Sequence, residues 1–150
     1  MSIGDVNSII RTYLTTASAA TNLLIAIIGT RVYCPRLPEN TLLVTGGVST
    51  PAISFFTRGG DSTPYIPGIP EPSVQFDCWA SDVSPITGSI RSREVYRKLY
   101  DALQGIQNVT VGAYTIWSAI EEVQAQDIVD TDIQGYFRTL AFFKFSIRAE

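Results

Sequence analysis

SVQFDCWASD, residues 73–82, decides how the rest of the chain is read. Val74, Phe76 and Cys78 alternate with Gln75, Asp77 and Trp79, which is the period of a strand with one buried face. An acid beside a thiol and an indole also has the composition of a reactive site. On a strand, however, successive side chains leave on opposite faces, so Asp77 and Cys78 cannot assist one another. The chain contains no histidine, which removes the usual base for Ser-His and Cys-His chemistry and most zinc sites. The stretch therefore reads as a strand that builds a sheet, with Trp79 on the face of Asp77 and Gln75, at a sheet surface or packed under a helix, an interface anchor being the alternative.

Working outward toward the N-terminus, residues 51–58 form a second strand led by Pro51, and Arg31-Val32-Tyr33-Cys34 a short one halted by Pro35 and Pro38. Between them, residues 39–50 hold a Gly46-Gly47 pair and read as a loop or hairpin. Residues 59–72 carry four prolines and three glycines, so a long exposed loop is expected there. Ahead of all this lies a helical segment, residues 1–28. Asp5 is placed to cap a first helix with Val6, Ile9, Ile10, Tyr13 and Leu14 along one stripe. Thr21-Asn22 opens a second run that Gly29 ends, as one bent helix or two short ones.

Toward the C-terminus, residues 81–88 make a polar turn. A helix of residues 89–104 follows, capped by Thr87 or Ser89 and ended by Gly105. Val95, Leu99, Ala102, Leu103 and Ile106 face inward; Arg91, Glu94, Lys98 and Asp101 face out. Beyond it the period changes to two over residues 109–113, 114–128 and 136–147, with a turn near Asp130-Thr131-Asp132 and Gly135. Helix, strands, helix and strands in that order predict one α+β domain over residues 1–150. Its antiparallel or mixed sheet packs against one long helix and the N-terminal helical segment.

A chain of 150 residues with 45% apolar and 17% charged residues is an ordinary globular composition with enough length for a real core. A net charge of -3 gives no basic footprint for general DNA binding. The longest apolar run, residues 23–28, is far short of the ~20 residues that span a bilayer. A basic region followed by an apolar one is missing from the N-terminus, so no secretory signal is expected. Cys34 and Cys78 lack any CxxC spacing and read as reduced structural thiols.

Few residues carry chemistry. Glu121, Glu122, Asp127, Asp130 and Asp132 fit no EF-hand spacing and read as a solvated face. Gly59-Gly60-Asp61 lacks the lysine and helix start of a phosphate cradle. No cofactor, metal or catalytic residue is expected. The candidates that remain are contact residues: Arg58, Asp61, Tyr65 and Ile66 in and beside the proline-rich loop, and Arg91, Arg93, Arg97 and Lys98 on the main helix. Arg93 and Arg97 stand four apart, a mildly repulsive spacing that an external acid would relieve.

The order of segments resembles a known family. IGTRVYCPRLPENT (residues 28–41), PAISFFTRGGD (51–61), SVQFDCWASD, YRKLYDALQG (96–105) and FRTLAFFKFSI (137–147) are similar, in order and spacing, to the tail completion proteins of long-tailed bacteriophages. These are also called tail terminator or head–tail joining proteins. The likeness runs from Leu23 to the C-terminus. Cys78 stands where the family often has another small or apolar residue, and residues 61–72 are richer in proline. The resemblance implies a structural, non-enzymatic virion protein. It would form a homo-oligomeric ring, a hexamer, at the head-proximal end of the tail tube, assembled in the host cytoplasm. The ring would stop tube polymerisation and meet both the tube protein and a head-closure or connector protein of the neck. Genomic DNA would pass through its lumen without specific binding, and no membrane is involved. Another head–tail connector ring protein, or a small α+β ligand-binding or enzymatic domain, are the competing readings.

Overall fold

The computed structural model describes residues 4–62, 69–129 and 135–149. Helix α1, Val6–Thr15, starts where Asp5 accepts a hydrogen bond from the Asn7 backbone N–H, and it buries Ile9, Ile10, Tyr13 and Leu14. Helix α2, Asn22–Ile28, is separate and ends at Gly29, so the N-terminal segment is two short helices. The Arg31 guanidinium donates to the carbonyl of Ile27 in the last turn of α2 and to that of Pro51. It satisfies a helix-terminal carbonyl while tying α2 to the next strand.

Strands β1 (Val32–Tyr33), β4 (Ala52–Ser62) and β5 (Pro70–Ser81) precede helix α3 (Gly88–Leu103), and β6 (Gln107–Val111), β7 (Tyr114–Val129) and β8 (Tyr136–Ala149) follow it. They form one six-stranded sheet in the order β1-β4-β5-β8-β7-β6. Among the described residues only β1 pairs in parallel, with β4; the other ladders are antiparallel. The fold is α+β, a mixed sheet with three helices. Residues 44–49, expected as loop or hairpin, are a two-stranded hairpin, β2 (Val44–Thr45) with β3 (Val48–Ser49), turning at Gly46-Gly47. β7 slips register three times against β8, and each bulge bends a long strand further.

One expectation needs correction. Residues 59–72 are not loop throughout: β4 continues to Ser62 and β5 begins at Pro70, with Gly60 opposite Pro72 and Asp61 opposite Glu71. The glycine pair marks a bulge, at the register shift between Thr57 and Gly60. Gly60 has φ +142°, and a Cβ there would lie 2.2 Å from the Glu71 carbonyl oxygen. Only glycine lets the two backbones approach so closely.

All three helices pack on one face of the sheet. That core joins Ile10, Leu14, Leu24 and Ile28 to Val95, Leu99 and Leu103 and to the inward residues of the six-stranded sheet. At its centre Phe76 stacks on Phe55 (5.6 Å between ring centroids) and meets Phe143 edge-on (5.6 Å). Tyr13 on α1 donates to the Ala102 carbonyl on α3 at 2.6 Å, pinning the two helices together. Thr87 holds the N-cap position of α3, one of the two expected, but its side chain makes no capping hydrogen bond. Instead the Asp82 carboxylate accepts from the Gly88 N–H at 2.6 Å, a negative group at the positive end of the helix.

Candidate functional site

Strand alternation sends the odd residues of β5 and the even residues of β8 to the sheet face that carries no helix among the described residues. Over one end of this outer face lies the loop of residues 35–43. Leu43 and Ala52, with Tyr33, Leu37 and Tyr136 beside them, bury Trp79. Trp79 is thus covered by a loop, and its indole N–H donates to Ser54 Oγ at 2.9 Å. Cys78, one residue back, points into the main core, where burial pushes its thiol well above the ordinary range. Asp77 and Cys78 do lie on opposite faces.

Between loop and sheet runs a cleft of about 620 Å³, walled by residues 35–41 and floored by Ser54, Phe56, Gln75, Asp77, Trp79 and Arg138. Asp77 is 6% exposed. Burial raises its pKa, against the opposing pull of Arg138 and of the Gln75 amide. Among the described residues its carboxylate accepts only from Gln75 Nε2, at 3.5 Å to each oxygen, and stands 3.8 Å from Arg138. The Arg138 guanidinium lies over the Trp79 ring, 5.3 Å from its centroid.

Among the described residues, no loop or helix covers the other end of the outer face. Ile120 is 55% and Val123 41% exposed there. Around them, Arg58 lies 4.3 Å over the Phe142 ring, Arg148 lies 5.1 Å over Trp117, and Lys144 pairs with Asp61 at 2.9 Å. Two of the predicted contact residues, Arg58 and Asp61, thus meet on this face; Tyr65 and Ile66 lie outside the described residues. The four on α3 sit on the helical side, so the eight do not form one patch.

On that side Arg93 already has an acid of this chain beside it. Arg93 donates to the Asp127 carboxylate at 3.0 Å, and Asp127 also accepts from Thr139. Arg91 pairs with Glu94 at 2.6 Å and is half-buried, not outward. Arg97 and Lys98 line a groove with Tyr100, Asp101 and Gln124. Tyr96 donates to Glu121 across the α3–sheet seam, and Ser73 donates to Glu122 at 2.7 Å. Glu122 and Asp127 are exposed, as a solvated face requires, while Glu121 is half-buried at the seam. Asp130 and Asp132 lie outside the described residues. No group of three or more His, Cys, Asp or Glu among the described residues could hold a metal ion. No helix among them is long and apolar enough to cross a membrane.

Sequence reasoning missed Arg138, Ser54 and the loop wall of the cleft. Period two in FRTLAFFKFSI does assign Arg138, Leu140, Phe142 and Lys144 to one face. The register that sets Arg138 opposite Trp79 has no local signal. No protein-family model matches the chain, and no curated protein matches it.

Proposed function

We propose that the protein is a structural subunit of a ring at the head-proximal end of a long-tailed bacteriophage tail, where it ends tube polymerisation and joins the tail to the neck. The observation that carries this reading is the uneven dressing of the sheet. Three helices cover one face, while the other presents Ile120 and Val123 within a rim of Arg58, Lys144 and Arg148. An apolar centre with a charged, stacked rim is the anatomy of a surface made for another protein. The order of the five quoted motifs supports a tail completion protein as its owner.

On this reading a second copy of the chain occupies the outer face, through a head-to-tail contact that closes into a ring, a hexamer by the resemblance. One side of the ring matches the last tube ring and the other the neck connector, with DNA passing through the lumen. The role is one of assembly and involves no turnover; its place is the virion neck. Incubation with polymerising tail tube protein tests this: tubes capped at a fixed length are expected. Binding to portal-containing heads in the absence of tails would assign the chain to another connector ring instead.

A further inference from the structure

We infer that the cleft between the 35–41 loop and the outer sheet face is a binding site for a peptide carboxamide, an Asn or Gln side chain on an extended segment of a partner protein. Asp77 and Arg138 form a split pair at its floor. At 3.8 Å they are about 1 Å beyond the ~2.7–2.9 Å of a charge-assisted hydrogen bond. The carboxylate is more than nine-tenths buried, and its two 3.5 Å contacts to Gln75 are at the limit of hydrogen-bonding distance. Arg138 Nε is buried with no partner among the described residues. A buried acceptor and a buried donor, both short of partners and both carried by residues that line the cleft, call for a ligand that has one of each.

A carboxamide meets that demand: its N–H donates to Asp77 and its carbonyl oxygen accepts from the Arg138 guanidinium. A cation would satisfy Asp77 but meet Arg138 and Arg36; an anion would meet Asp77 and Glu39. The aromatic floor of Phe56 and Trp79 and the apolar wall of Leu37 and Pro38 suit the aliphatic stem and flanking backbone of a peptide. The inference concerns the isolated chain and does not rest on the assembly reading, so either can fail alone.

The test is a titration of the ¹⁵N-labelled protein with N-acetylasparagine amide, following the two indole N–H resonances. Trp117, at the open end of the same face, is the internal control. A saturable shift of Trp79 alone is expected, weakened about tenfold in Asp77→Asn, where a charged acceptor becomes a neutral one. Arg138→Lys, which keeps the charge but loses the planar fork, should also weaken it. Parallel titrations with methylguanidinium and with acetate should give no saturable shift. A shift shared by both indoles, no saturation, unchanged affinity in both variants, or tighter binding of either ion would overturn the assignment. Should Asp77→Asn not fold, Arg138→Lys and the ion titrations decide.

Discussion

Phe76 and Phe142 sit on neighbouring strands, and their truncations should show how unequal the two faces of the sheet are. Phe76 is fully buried and touches the rings of Phe55, Phe143 and Phe145. Phe76→Ala removes a core ring and leaves a cavity, at a cost of about 3–5 kcal/mol. Loss of the aromatic pairs favours the upper part of that range. Phe142, opposite Gln75 on the outer face, is half-buried beneath Arg58. Phe142→Ala forfeits partial burial and an exposed cation–π contact, about 1–2 kcal/mol together. Urea unfolding followed by tryptophan fluorescence reads both values, and thermal melts provide a second scale. At about 2–4 °C per kcal/mol for a chain of this size, Phe76→Ala should lower Tm by roughly 6–20 °C. Equal losses at the two positions, or a larger loss at Phe142, would refute the claim that the outer face contributes little to folding and is free for a partner.

Three further outcomes follow from the same geometry. Ile120→Asp should leave monomer stability within about 0.5 kcal/mol, since the side chain is more than half exposed, yet abolish ring formation seen by light scattering in the presence of tubes; a ring that survives contradicts the placing of the interface. Asp77 is held above the ordinary aspartate pKa by burial, so the folded state binds its proton more tightly than the unfolded one. Its contribution to stability therefore falls as pH rises from the ordinary aspartate value through the raised one. Asp77→Asn should gain on the wild type in urea titrations between pH 4 and pH 7, and a difference that shrinks over that window would be the wrong sign. Gly88→Ala should destabilise by about 1–3 kcal/mol despite alanine's better helix propensity. Its Cβ would lie 2.4 Å from the Phe137 ring and 2.9 Å from the Ser81 carbonyl carbon; a stabilised variant would show that the approach relaxes freely.

Period-two alternation identified β5, β7 and β8 because each keeps one face in the core, so the pattern is written by burial itself. Asp5, Gly29 and Gly105 marked helix ends through contacts within a few residues. What failed was what depends on partners far along the chain. Gly59-Gly60 carries the usual signature of a turn; its actual reason is the Glu71 carbonyl on the facing strand. Asp82 reaches over six residues to cap α3, beyond the reach of capping patterns. Arg93 and Asp127, or Asp77 and Arg138, become neighbours only once β7 and β8 are set in register. The proposed function rests on segment order alone, and the cleft had no sequence signal, because a split ion pair is a property of geometry.

The central claim is that this chain ends a tail and joins it to a head. Negative-stain images of virions assembled without it, in a host where it can be restored from a plasmid, test that most directly. Abnormally long or headless tails, corrected by the restored wild-type chain and left uncorrected by Ile120→Asp, are the predicted result. Normally joined particles with tails of ordinary length would contradict it.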